Sequence, residues 1–206
     1  MIDDPATTAV VCIECQQGVL GEGSVLPSLR ADAQRMLPSL ERLLDSARQA
    51  GLPVVHATYG GPLGGTRHDT APLWRALWPR TADWGPGHPG VEVLPELLDP
   101  RDLVLPRHHG LFPARGTELL AILRGRGVHT LVLTGVSLNV ALPMTAGEAV
   151  HCGFSVVVPR DAVIGTPAEY GEQMLAHTIS MLATVCTVDD LVDDWKAAPG
   201  GSINDG

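Results

Sequence analysis

The chain has 206 residues, 45% of them hydrophobic, and a formal net charge of −9. That length suits one globular domain with a multi-layer core. The acidic balance, with no run of five or more basic residues, argues against nucleic acid as a partner. No apolar run approaches the roughly 20 residues of a membrane span, and MIDDPATT lacks the basic region and small-residue cleavage site of a secretory signal. A cytoplasmic location without a membrane partner is therefore expected.

Residues 8–14, TAVVCIE, read as a first buried strand, short and continuous, with β-branched residues at its start. Residues 16–26 form a glycine-containing loop. From 28 to 50, apolar residues recur at helical spacing (Leu29, Ala33, Met36, Leu37, Leu40, Leu43, Leu44, Ala47), and Gly51 ends the helix. Pro38 inside that pattern predicts either a kink or a late helix start. Residues 53–58, PVVHAT, are a second strand. The stretch 59–90 is rich in Gly, Pro and Trp, the kind of long loop that serves as a binding lid or subunit contact. Trp74, Trp78 and Trp84 either cover one sheet edge or wall a substrate pocket or dimer interface.

A short helix is expected at 91–98, a third strand at 102–105, and a helix at 117–126. A fourth strand follows at 128–133, stopping at Gly135, and then a helix at 139–152. The remaining elements are a fifth strand at 154–159, a helix at 168–183, a sixth strand at 185–188 and a terminal helical stretch at 189–196. Strand–helix alternation throughout predicts an α/β fold of three α/β/α layers around a six-stranded, mostly parallel sheet. Right-handed crossovers give it the Rossmann-like order 3-2-1-4-5-6, with the switch point between strands one and four. Residues 1–196 form a single domain, and the tail 197–206 has no periodicity and is expected to be disordered.

Four cysteines, Cys12, Cys15, Cys152 and Cys186, are too few and too dispersed for a disulfide framework. Cys12 and Cys15 form a CxxC at the end of an apolar strand, where an offset of three places the side chains on opposite faces. Core thiols are the expectation. No metal spacing is visible: His56 has no paired ligands at a suitable interval, and His68 and His88 lie alone. ECQQG stands where a GxGxxG phosphate loop would follow strand one, so no cofactor is implied.

The predicted topology brings three strand ends to one crevice. Glu14 ends strand one, where a half-desolvated carboxyl could give or take a proton, or merely cap a loop or pair with an arginine. Arg107, His108 and His109 follow strand three as PRHHG. Arg107 offers a rigid fork of donors for a carboxylate, or pairs with Glu14, and the histidines could shuttle protons. After strand four, Gly135 permits close backbone approach to a ligand, and the N–H groups at the next helix start attract negative charge. Position 141, where a Cys or Ser would make a nucleophile, is alanine.

These corners carry further motifs: Glu14-Cys15-Gln16, Phe112 followed by Gly116-Thr117-Glu118-Leu119, GVSLNVALPMTAGEAVHCGF from Gly135, and Asp161-Ala162. In them the chain resembles the isochorismatase-like (cysteine hydrolase) family of nicotinamidases, carbamoyl amidohydrolases and true isochorismatases, over residues 6–191. Glu14 takes the place of the family's strand-one Asp, and Gln16 matches the Gln two residues on. Arg107 or, by strict count, Pro106 takes the place of the lysine, and Ala141 that of the cysteine. True isochorismatases also lack the cysteine and are thought to cleave a vinyl ether by protonation from the strand-one Asp. The family forms a cis peptide at the position of Val136–Ser137, beside an oxyanion hole. The resemblance thus implies a catalytic set of Glu14, Arg107 and the thiol-less Ala141, with substrate contacts from Gln16, His108, Phe112, Gly135, Val136, Ser137 and Asn139.

The implied activity is a hydrolase or lyase acting on a small, anionic molecule by acid catalysis, with no metal or cofactor, in a homodimer or larger homo-oligomer. Two other readings compete with it. One is a non-catalytic small-molecule-binding or scaffold protein that keeps the pocket. The other is amide hydrolysis through Cys15 or Cys152, which needs a thiol at the crevice.

Overall fold

The structure, a computed structural model, describes residues 4–63 and 70–197. Its elements run β1 (Thr8–Ile13), α1 (Gln17–Leu20), α2 (Pro27–Ala33), α3 (Leu37–Gln49), β2 (Val54–Tyr59), α4 (Pro72–Thr81) and β3 (Leu103–Arg107). They continue with α5 (Leu119–Gly125), β4 (Thr130–Val136), α6 (Ala141–His151), β5 (Ser155–Pro159), β6 (Val163–Ile164), α7 (Ala168–His177), β7 (Thr184–Cys186) and α8 (Val188–Ala197). The sheet order is β3-β2-β1-β4-β5-β7, with β6 pairing to β4, and every one of these pairings is parallel. The expected order holds, with β7 as the sixth strand and the two-residue β6 as an addition.

A parallel sheet with helices on both faces needs strands that are apolar on both sides. β1 shows this in its alternation. Val10 and Cys12 enter a core shared with Leu29 of α2, Leu40 and Leu44 of α3, and Leu191 and Trp195 of α8. Ala9, Val11 and Ile13 enter the opposite core, with Leu119 and Leu123 of α5, Leu142 and Ala146 of α6, and Leu175 of α7. The β1 register is pinned from both sides, Val10 lying opposite Val54 and Val132. A one-residue slip would exchange the two cores, so this register is strongly specified.

The local differences from expectation have physical causes. The helix expected over 28–50 is two helices, because Pro38 lies in the first turn of α3, where its missing N–H costs nothing. Inside the stretch expected to be loop, Pro72 likewise opens α4. The 91–98 helix is replaced by single 3-10 turns at Pro89–Val91 and Pro95–Leu97. The helix from 168 stops at His177, followed by the turn Ile179–Met181. β4 does not stop at Gly135 but runs through it, at φ 92°, to Val136. The tail expectation lies outside the described residues, apart from Ala197, which ends α8. No helix among the described residues is long and apolar enough to cross a membrane.

Candidate active site

The carboxyl ends of β1, β2, β3 and β4 meet on one side of the sheet, around the point where the chain leaves β1 for strands on either flank. Glu14 lies one residue past β1 with φ 53°, the only positive value among the described non-glycine residues. This left-handed residue breaks the strand's alternation. Its N–H still donates to the Ala57 carbonyl at 2.9 Å, so the break falls at the last rung of the sheet.

Arg107 closes β3 opposite Tyr59. It is buried, at 6% exposure. Its Nη2 donates to Glu14 Oε1 at 2.5 Å and to the Leu111 carbonyl at 3.2 Å. Nε donates to the Gly110 carbonyl at 3.4 Å. The guanidinium carbon sits 5.4 Å from the Tyr59 ring centroid, a cation–π distance. Nη1 is buried and has no hydrogen-bond partner among the described residues. Ordinarily such a donor is satisfied, because leaving it unpaired costs on the order of 1–3 kcal/mol or more for a charged group.

Glu14 and Arg107 line a cavity of about 240 Å³ together with Ser137, Asn139 and Ala141. Of the residues expected at the site, these five come together. Gln16, His108, Phe112, Gly135 and Val136 do not line the cavity. Gln16 is fully buried and works as a clasp: its Nε2 donates to the carbonyls of Tyr59 and Gly90, and its Oε1 accepts from the Tyr59 N–H. Gln16→Ala would strand three buried backbone groups and is expected to cost on the order of 2–3 kcal/mol, read as a lower urea midpoint. His108 Nδ1 is 2.9 Å from the Gly61 carbonyl, so it supports the loop after β2. Gly135 is packed so closely that an added Cβ would lie 2.3 Å from the Ile13 carbonyl oxygen. Val136 is fully buried in the core, and Phe112 is half-buried.

The Val136–Ser137 peptide is cis. Around it the Leu138 N–H donates to the Ile164 carbonyl at 2.9 Å, and those of Val140 and Leu142 to the Ser137 carbonyl. Those three donors are spent within the protein. Asn139 donates to the Thr166 carbonyl and accepts from the Thr166 N–H, tying the β4–α6 loop to the loop before α7.

The cavity's other wall comes from residues that strand-end reasoning did not place there. Tyr59 ends β2, Trp74 and Leu77 come from α4, and Trp84 follows it. The visible signal was the tryptophan-rich composition of this stretch, and Trp74 and Trp84 take the walling role while Trp78 is not among the lining residues. Trp84 is 4% exposed and stays in place because Gly18 and Gly90 lie against its ring. A Cβ on Gly18 would come within 2.1 Å of that ring, and one on Gly90 within 2.7 Å. Trp84 and Val25 also line a shallower outer recess that includes Gln17, Arg80, Asp83 and His88.

No cysteine lines the cavity. Cys12 and Cys15 do not take opposite faces: the turn at Glu14 brings both into the α3-side core. The neighbouring Cys15 thiol, helped by His56, outweighs burial and holds Cys12 down to about 5, while the contact with Cys12, together with burial, pushes Cys15 well up. Burial and nearby aspartates push Cys186 up to about 12. On the same side lies a buried polar chain that the sequence did not reveal. His56 Nε2 is 2.9 Å from Asp102 Oδ2, to which Arg48 Nη2 donates at 2.7 Å. Burial works against the Asp102 carboxylate, but hydrogen bonds from Arg48 and His56 prevail and hold it below the usual range. Among the described residues no group of three or more His, Cys, Asp or Glu side chains could hold a metal ion.

Residues 8–190 match the isochorismatase domain family. The chain belongs to the isochorismatase family. Within it, the chain is 27% identical over 198 residues to the uncharacterized isochorismatase family protein YecD of Escherichia coli O157:H7, covering 91% of this chain and 95% of that one. It is 26% identical over 212 residues to the ureidoacrylate amidohydrolase RutB of Stutzerimonas stutzeri (strain A1501), covering 93% and 84%. A crystal structure of a cysteine hydrolase from Pseudomonas syringae pv. phaseolicola 1448A superposes with a TM-score of 0.79 over 95% of both chains at 23% identity, a likeness of fold. Ala141 lines the cavity at the start of α6 and carries no group able to attack a carbonyl.

Proposed function

We propose that this isochorismatase-family hydrolase acts on a small, anionic molecule by proton transfer from Glu14, without a cysteine nucleophile. The observation that carries the reading is that Glu14 and Arg107, ion-paired at 2.5 Å, line the same cavity as Ala141. In the resting site Arg107 balances the Glu14 charge. A ligand carboxylate held by Arg107 would lie beside Glu14, within reach of the group this reading makes the proton donor. For an enol ether, Glu14 then delivers its proton to the terminal alkene carbon. Water adds to the resulting oxocarbenium carbon, and the hemiketal releases alcohol and ketone, the net change being addition of one water. Arg107 holds the head group throughout and supplies the fixed positive charge.

The ion pair also favours a second reading, a non-catalytic binder that uses the same pocket, since a carboxylate committed to Arg107 is a structural group. An enol-ether carboxylate incubated in D2O separates the two. The catalytic reading expects a ketone carrying solvent deuterium on the carbon that was the alkene terminus. Thermal stabilisation by the same acid with no product at any enzyme concentration would establish the binder instead.

A further inference from the structure

We infer that the ligand of this site is an acid with an apolar body: one carboxylate head on Arg107 and a hydrocarbon remainder against the α4 wall. This rests on the reading of Arg107 as the head-group anchor. The cavity wall is itself a small hydrophobic cluster, separate from the two main cores, of Val25, Tyr59, Leu77 and Trp84 with Leu26 and Trp74 packed on it. All six of these residues line the cavity. Apolar side chains of this size gathered around an internal space are completed by an apolar occupant more favourably than by water.

The polar atoms at the same cavity narrow the head group. Both ends of the Asn139 amide are spent on Thr166, and the Thr166 hydroxyl donates to Asp32 at 2.7 Å. The Thr81 hydroxyl donates to the Leu77 carbonyl at 3.2 Å. Glu14 Oε1 accepts from Arg107. Arg107 Nη1 is a buried donor without a partner among the described residues, on a side chain that lines the cavity together with Ser137. A molecule studded with hydroxyl, ureido or amide groups along its length would leave most of them unpaired against Leu77, Trp74 and Leu26. A single charged head matches this unpartnered cationic donor among the described cavity-lining residues. At about 240 Å³ the space lies below the roughly 300–1,000 Å³ of drug-sized pockets, so the body is a short chain or one ring.

The test titrates the full chain with straight-chain carboxylates from butanoate to octanoate, and with octan-1-ol. Quenching of tryptophan fluorescence is the readout, because Trp74 and Trp84 line the cavity. Burying one methylene is worth about 0.8 kcal/mol, so affinity is expected to rise about fourfold per added carbon. Octanoate is expected to bind at least tenfold tighter than octan-1-ol. Arg107→Gln removes that preference and keeps the chain-length slope. Trp74→Ala, at a half-buried position, keeps the preference and flattens the slope. The acid–alcohol comparison on the unaltered protein stands even if the Arg107 variant does not fold.

Affinity independent of chain length, or octan-1-ol binding as tightly as octanoate, overturns the inference. Turnover of short polar enol-ether acids combined with a flat slope would sink this ligand class and leave proton donation by Glu14 intact. A steep slope with no turnover of any acid would do the reverse.

Discussion

Glu14→Gln is expected to lower turnover of an enol-ether acid by about 10²–10⁴-fold, the usual worth of a positioned general acid, while ligand affinity changes by no more than a few-fold. The substitution keeps the side chain's length and shape. Its amide oxygen can still accept from Arg107 Nη2, which now donates to Glu14 Oε1 at 2.5 Å. What it removes is the transferable proton. It also leaves the Arg107 charge less neutralised, which strengthens an anion's hold, so KM stays level or falls as kcat collapses. A purely structural Glu14 would give the opposite pattern, with stability lost and any residual kcat preserved. Steady-state kinetics alongside a thermal melt reads both, and an unchanged kcat removes Glu14 as the acid.

Asp102→Ala is expected to cost about 3–5 kcal/mol of stability, the range for breaking a buried ion pair by deleting one partner. The Asp102 side chain is only 2% exposed, Arg48 9% and His56 1%, so neither partner can turn to water for compensation. The same carboxylate also accepts the Asp99 N–H at 3.0 Å, so the turn into β3 loosens with it. Because Asp102 is held below its ordinary value in the folded protein, its contribution is present above the unfolded carboxylate range near pH 4 and is lost as pH falls through the lower folded value. Urea midpoints at neutral pH should therefore separate wild type from the variant widely, and the gap should narrow at the acid extreme. A variant within about 0.5 kcal/mol of wild type at neutral pH would mean the chain carries no net stabilisation.

Much of the architecture was legible because it depends on period and alternation. Apolar runs separated by helical stretches imply parallel strands, and crossover handedness then leaves few orders, one of which the sheet adopts. Glu14, Arg107 and Ala141 could be brought to one crevice on the same logic, and they share the cavity. What escaped was whatever depends on a single backbone angle or on long-range pairing. A left-handed Glu14 leaves no trace in composition, yet it decides that Cys12 and Cys15 share a core. Arg48 comes from α3, His56 from β2 and Asp102 from the turn before β3, and the only local sign was a histidine inside a mostly apolar strand. α4 was hidden because Pro72 and Pro79 read as loop punctuation, although one sits in the helix's first turn and the other near its end.

The ring of Trp84, held by two glycines that leave it room, has a consequence for how far this scaffold can be retuned. With Val25 it lines both the cavity and the outer recess, so the two hollows share it as a boundary. A smaller side chain in its place is expected to join them and extend the space toward Arg80 and His88. The length of molecule this scaffold admits is thus set in part at a side chain that belongs to no strand of the sheet.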